Sequence, residues 1–228
     1  MKLALISDVH SNLPALEAVL AEIRRMGIAR ILHAGDVVGY NAFPNEVIAL
    51  FAREKIESIK GNHEIANISG DWKNFNQNAA LAEEWTHKNL SMQSSVYLTE
   101  MPEHLELKIE GLRIAVHHGA PFDPDKYIMQ DGASSDLLRK AQADVLVLGH
   151  THWPFVSLFG KGYVINPGSV GQPRDGDWRA SFATLDIKDR TVTDASIHRL
   201  VYSVSKTMLA GRKAGLPQRL IDRLEKGN

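Results

Sequence analysis

The chain contains no cysteine. Disulfide staples and thiolate metal sites are therefore excluded, and any bound metal must be held by oxygen and imidazole nitrogen. An excess of charge of one sign is missing too: 26 Lys and Arg stand against 27 Asp and Glu, a formal net charge of -1. No broad basic field exists to hold a nucleic-acid backbone, so an anion has to be captured locally. Long hydrophobic runs are also absent, since no stretch approaches the roughly 18 apolar residues that span a bilayer. The apolar run from Leu3 to Ile6 is too short for the core of a secretory signal. A cytoplasmic location is expected, with no membrane partner and no extended nucleic-acid binding. What the chain does hold in quantity is histidine, ten in 228 residues.

The length is enough for one domain with its own core, spanning residues 1–228. Residues 2–7 (KLALIS) predict a buried first strand. Ser11 or Asn12 can cap a helix that has Pro14 in its first turn and Leu16, Val19, Leu20 and Ile23 on one face. Strands are expected at 30–34 and 56–59, with a helix starting near Pro44 between them. This β-α-β-α-β alternation implies a parallel sheet covered by helices. Residues 64–75 read as polar and turn-rich, and 76–90 as a helix with Leu81, Trp85 and Leu90 broadly in phase. The stretch 64–98 interrupts the alternation and is expected to form a cap or lid. Further strands are expected near 104–109, 112–117, 145–148, 154–159, 162–165, 180–187 and 191–200, with a helix near 134–142. The tail, 203–228, reads as helical and broken at Gly215–Pro217.

Five segments place polar residues just past apolar strands: Ser7-Asp8-Val9-His10, Gly35-Asp36, Gly61-Asn62-His63-Glu64, His117-His118-Gly119 and Gly149-His150-Thr151-His152. Ligands gather at the carboxyl ends of strands in a parallel sheet, so all five can converge on one edge. In extended chain, residues two apart point the same way, so Asp8 with His10, and His150 with His152, can each aim two donors at one place. Oxygen and imidazole donors suit borderline divalent metals such as manganese, iron, cobalt or zinc. A pair of ions needs a bridging carboxylate, and Asp36 supplies two oxygens. Two such ions clamp the attacking and leaving oxygens of an in-line displacement and leave the site positive, which fits a phosphate guest. Taken singly, an Asp-x-His or a Gly-Asn-His is an ordinary turn. Five strand-end segments in this order are explained together by a metal centre.

The order Asp-x-His, Gly-Asp, Gly-Asn-His-Glu, His-Gly, Gly-His-x-His resembles the calcineurin-like metallophosphoesterase superfamily over residues 2 to about 185. That resemblance implies an α/β fold, a four-layer αββα sandwich of two mixed sheets flanked by helices. It also implies a hydrolase, with metal-activated water attacking phosphorus in line. By the same likeness, Asp8, His10, Asp36 and His152 would hold a first ion, and Asp36, Asn62, His118 and His150 a second. The ions would be Mn²⁺, with Fe, Co, Zn or Ni as alternatives. His63 matches the catalytic histidine, which contacts the phosphate or protonates the leaving group. The run Asn166-Pro167-Gly168-Ser169-Val170-Gly171 with Arg174 is similar to a small bacterial and archaeal branch that includes phosphodiesterases and diadenosine tetraphosphate hydrolases. The expected substrate is small and nucleotide-like: a phosphodiester, a phosphomonoester or a diadenosine polyphosphate. Ser/Thr protein phosphatases follow Gly-Asp with an Asp-Arg pair, whereas Val37-Val38-Gly39-Tyr40 stands here, so the acid that would orient His63 and the arginine that would grip phosphate are both missing from that place.

Other residues have two readings. Arg174 is either an ion-pair partner of Asp175 or Asp177 or a phosphate contact. Tyr40, Trp72, Trp153 and Trp178 either pack or stack on a base, and Tyr40 joins Arg174 as a candidate substrate contact. Gly168, Gly171 and Gly176 suit tight turns. His117 is expected to be supporting, His33 a satisfied core residue, and His87, His104 and His198 surface residues. Two other function classes remain open: a non-catalytic interaction scaffold on the same fold, against which the complete donor set argues, and a nuclease, which the lack of net positive charge disfavours.

Overall fold

The computed structural model describes residues 1–228. Its first sheet contains β1 (Lys2–Ile6), β2 (Arg30–His33), β3 (Glu57–Ser58), β9 (Ala180–Lys188) and β10 (Thr191–Leu200), in the order β10-β9-β1-β2-β3. The second holds β4 (Leu105–Ile109), β5 (Leu112–Val116), β6 (Val145–Val147), β7 (Phe155–Phe159) and β8 (Gly162–Asn166), in the order β4-β5-β6-β8-β7. Both are mixed: β1 runs parallel to β2 and antiparallel to β9, and β6 lies parallel to both β5 and β8.

Strand alternation produces the layers. Leu3 and Leu5 of β1 face the second sheet and pack with Leu32, Val116, Val145 and Ile165 between the sheets. Ala4 and Ile6 point the other way, onto α1 (Leu13–Arg25) and α2 (Pro44–Glu54), whose Leu16, Val19, Leu20 and Phe51 cover them. On the far face of the second sheet, Leu146 and Val164 meet Leu137 and Leu138 of α6 (Ser135–Lys140). The result is the expected α-β-β-α stack. Asn12 is the residue that caps α1, its side chain accepting from the Ala15 amide at 3.3 Å.

The interruption between the sheets is more helical than its composition implied. It comprises α3 (Asn62–Ser69), α4 (Gln77–Asn89) and α5 (Met92–Glu100). Residues 64–69, expected as turn, belong to α3. The Glu64 carboxylate accepts the Gly61 amide at 2.8 Å and so caps the helix from inside it, which polar composition alone does not reveal. Helix α4 is also rotated from the expected phase: Ala79, Ala82, Glu83 and Thr86 are buried, while Leu81 is 48% exposed. The tail forms α7 (Val204–Lys213) and α8 (Gln218–Asp222), broken where expected. Leu216 and Leu220 of this tail pack against Tyr40, Ala79 and Ala82, tying the tail to the lid.

Candidate metal centre

All five strand-end segments meet at one edge of the sandwich. The donor atoms of Asp8, His10, Asp36 and His152 lie within 4.8 Å of one another, and so do those of Asp36, His118 and His150. Asp36 belongs to both sets. Asn62 joins the second, its Oδ1 3.0 Å from His118 Nε2. The premise of extended chain does not hold: Asp8, His10, Asp36, His150 and His152 all have positive φ. These left-handed turns are costly for side-chain-bearing residues, and strain of this kind collects at functional sites. They also separate His150 from His152, which serve different donor sets instead of one place.

Each candidate ligand imidazole is anchored through one nitrogen, leaving the other aimed inward. His10 Nδ1–H donates to the Val38 carbonyl (3.0 Å), His118 Nδ1–H to Ala34 (2.7 Å), His152 Nδ1–H to Gln172 (2.6 Å) and His150 Nε2–H to Asp125 (3.1 Å). That pattern selects the tautomer that presents a lone pair to a metal. The inward nitrogens then face each other: His10 Nε2 is 3.1 Å from His152 Nε2, and His150 Nδ1 is 3.1 Å from His118 Nε2. Two lone pairs at that distance repel unless a cation or proton lies between them. Asp8 Oδ2 is buried with no hydrogen-bond partner, a second sign of a place made for a cation. The donors present fit two divalent ions.

The electrostatics agree. Burial pushes the imidazoles of His10 and His152 well below the ordinary histidine value and that of His150 down to about 4, which keeps them neutral. Burial would raise Asp36, but His118 and His63 more than offset it and hold it well below the usual carboxylate range. Burial raises Asp8 to about 7. Gly61 allows this crowding, because a Cβ there would sit 2.2 Å from Asp36 Oδ1.

His63 sits beside the donors, its Nε2 3.9 Å from Asp36 Oδ2. The acid missing after Gly35-Asp36 is supplied from elsewhere: Glu83 of α4 places Oε1 2.5 Å from His63 Nδ1. Asn67 donates to the other Glu83 oxygen and, at 3.0 Å, to the His63 carbonyl. Both His63 and Glu83 are buried. Gly39 makes room for the pair, since a Cβ there would lie 2.3 Å from His63 Nδ1 and 2.7 Å from Glu83 Oε1. Burial opposes protonation of His63, but Glu83 and Asp36 override it and push it up to about 9. Glu83 escaped the sequence reading because α4 was phased on its large apolar residues. The small residues Ala79 and Ala82, with Glu83 and Thr86 following, carried the correct phase.

A cavity of about 550 Å³ opens over the centre, walled by Asn62, His63, Tyr40, Arg174, Phe75 and Tyr127. Phe75 and Tyr127 were not anticipated. Tyr127 stacks on His150 with centroids 4.1 Å apart, and Phe75 meets His63 edge-on at 4.9 Å. Trp72, Trp153 and Trp178 are absent from the cavity wall, and Trp178 packs near Tyr202 instead. Asp175 pairs with Arg199 and Asp177 with Arg179, so neither acid takes Arg174, which donates to Tyr40 Oη at 3.3 Å and Gln172 Oε1 at 3.2 Å. His117 turns away from the centre and stacks on exposed His104 at 5.3 Å. His33 is buried with Nδ1 2.7 Å from Ser58 Oγ, but its Nε2 has no partner, so it is only half satisfied. His198 is half-buried, stacked on Phe182 and 2.9 Å from Thr184 Oγ1, because it lies on β10 over β9; it is not the surface residue expected.

Residues 1–190 match the family described as the calcineurin-like phosphoesterase superfamily domain. The chain belongs to that superfamily. Among its relatives, an uncharacterized protein of Methanocaldococcus jannaschii is 36% identical over 240 residues, covering 97% of this chain and 96% of that protein. The phosphodiesterase YfcE of Escherichia coli is 29% identical over 82% of this chain and 88% of its own length. Among solved structures, a metallophosphoesterase from Sphaerobacter thermophilus superposes with a TM-score of 0.83 at 33% identity, covering 100% of this chain and 99% of that one. The fold of that metallophosphoesterase is thus shared along the whole chain, lid and tail included. No helix is long and apolar enough to cross a membrane.

Proposed function

We propose that this calcineurin-like phosphoesterase is a metal-dependent hydrolase in which two divalent ions share Asp36, one held with Asp8, His10 and His152 and the other with Asn62, His118 and His150. Mn²⁺ is the first choice, with Fe, Co, Zn or Ni compatible with the same donors. The observation that carries this reading is the pair of donor sets meeting at one carboxylate, with inward imidazole nitrogens facing each other at 3.1 Å. When bound, the ions would neutralise phosphate oxygens and acidify a water to serve as nucleophile.

The remaining work falls to the chain's own side chains. Glu83 accepts the Nδ1 proton of His63, which fixes the ring and directs Nε2–H into the cavity. Because Glu83 and Asp36 keep His63 protonated near neutral pH, it stands ready to donate to a departing alkoxide. Glu83 is therefore a positioning residue and His63 the acid. Glu64 accepts the amides of Asp36 and Val38 at 2.9 and 3.0 Å and holds the Asp36 loop in place. Arg174 offers its guanidinium to a phosphate oxygen beside Tyr40, whose hydroxyl burial pushes up to about 12, so it remains a donor. The substrate is a small nucleotide-like phosphodiester, phosphomonoester or diadenosine polyphosphate.

A panel of bis-nitrophenyl phosphate, nitrophenyl phosphate, diadenosine tetraphosphate and single-stranded DNA, assayed with Mn²⁺, tests the reading. Turnover of one or more small esters that EDTA abolishes is expected. No turnover with any divalent metal would overturn it, and preference for DNA would favour a nuclease.

A further inference from the structure

Beside the cavity over the metal centre lies a second cleft of about 980 Å³, which shares Asn76 with it. One wall is the tail, with Arg219, Arg223 and Lys226; the other is the start of α4, with Gln77 and Asn78. The wall is cationic and rich in amides, in a chain whose formal net charge is -1.

No side-chain ion pair takes up these cations. No acidic side chain comes within 4.0 Å of Arg174, Arg219, Arg223 or Lys226. The one acid on the wall, Asp222, accepts from Gln218 at 2.6 Å. Arg223 is half-buried and donates through Nε to the Asn228 carbonyl, which leaves its other nitrogens free. Arg174 carries a buried Nε with no partner. Arg174 lines the first cavity and Arg219 and Arg223 the adjoining one; burial and the nearby charges of Arg174 and Arg219 press Arg223 down to about 10. Arginines with no carboxylate side chain beside them fit an anion that bridges them. The row is also built into the fold. The Gly176 amide donates to the Gly227 carbonyl at 2.7 Å, joining the tail to the loop that bears Arg174, and Leu220 packs against Tyr40.

We propose that Arg174, Arg223 and Arg219 form an anion subsite leading away from the metal centre, which takes a second phosphate group linked to the one being cleaved. The proposal deepens the phosphoesterase reading and rests on it. It assigns the substrate class: compounds with two or more linked phosphates, in preference to diesters of a single phosphate with neutral arms. The patch is too small for a polynucleotide track, so the guest is a small polyphosphate.

The test compares binding and turnover in Mn²⁺-loaded protein. Titration calorimetry measures methylenediphosphonate, two linked anions resistant to hydrolysis, against methylphosphonate, a single anion. The kinetic arm takes the ratio of kcat/KM for diadenosine tetraphosphate to that for bis-nitrophenyl phosphate. Losing a charge-assisted contact weakens binding by roughly ten- to a hundredfold. In the Arg219→Gln, Arg223→Gln double variant, both the preference for diphosphonate and the kinetic ratio should fall at least tenfold. Arg219→Lys with Arg223→Lys should restore much of each. If the double variant does not fold, the exposed positions Arg219→Gln and Lys226→Gln provide the same readout. A preference equal in wild type and variants, or none in wild type, overturns the subsite. Should the protein hydrolyse neither substrate, the phosphoesterase reading fails, and the phosphonate preference still decides the subsite on its own. An equal response to orthophosphate and diphosphonate would mark a free-phosphate site and also overturn it.

Discussion

The metal cradle and the cover beside it adjoin one another but are assembled differently. In the cradle, Asp8, Asp36, His118 and His150 each lie within a few residues of a strand end, and anchored ring nitrogens and left-handed turns fix their aim. In the cover, Glu83 reaches His63 from the middle of a helix, and Arg219 and Arg223 approach from the tail. Positions set by a sheet edge tolerate little variation in direction. Positions set by helix phase depend on which residues happen to be buried. On the proposed reading, the cradle supplies the chemistry common to the fold, and the cover supplies the proton and the choice of guest.

Kinetics can break that division. His63→Ala should lower kcat on alkyl or nucleoside esters by about 10² to 10⁴, the range for a lost general acid. The loss should be far smaller with nitrophenyl esters, whose leaving group needs no proton. Glu83→Gln should cost about 10- to 100-fold on the same poor leaving groups, as supporting partners do. In a His63→Ala background it should cost almost nothing more. A double-mutant cycle in kcat measures this, and a full additional loss from Glu83→Gln would show that the cover acts otherwise than through His63.

A smaller effect concerns stability in acid. In the metal-free protein, folding depresses His10, His33, His150 and His152 below their unfolded value near 6.5, His33 to about 3. Below pH 6.5 the unfolded chain binds more protons at these four sites than the native one; Asp8 and Glu64, both raised by burial to about 7, offset part of this, and stability falls as pH drops toward 4. Each such histidine contributes up to about 1.4 kcal/mol per pH unit in that window. Thermal melts from pH 7 to 4.5 should show the decline; Mn²⁺ should raise the melting temperature at each pH without flattening the slope, because an ion in place of protons leaves the native state binding fewer of them. A melting temperature flat across this range would contradict the buried, neutral imidazoles.

The cradle was legible because its ligands follow apolar strands of unmistakable pattern, such as KLALI before Ser7-Asp8. Nearly every strand was readable for the same reason, and so was the break in the tail at Gly215 and Pro217. The lid was not. Its buried face is made of Ala79, Ala82, Glu83 and Thr86, so large apolar residues mark the wrong side of α4. Helix α3 hid behind polar composition because Glu64 caps it from within. Pairing choices among close charges were also hidden: Arg174 has Asp175 beside it in sequence, yet Arg199 takes that acid.

The central claim is that two ions share Asp36. Plasma emission analysis of protein loaded with Mn²⁺ and then dialysed tests it most directly. Two ions per chain are expected, with at least one lost in Asp36→Asn. One ion or none in the wild type, or an unchanged content in Asp36→Asn, would contradict it.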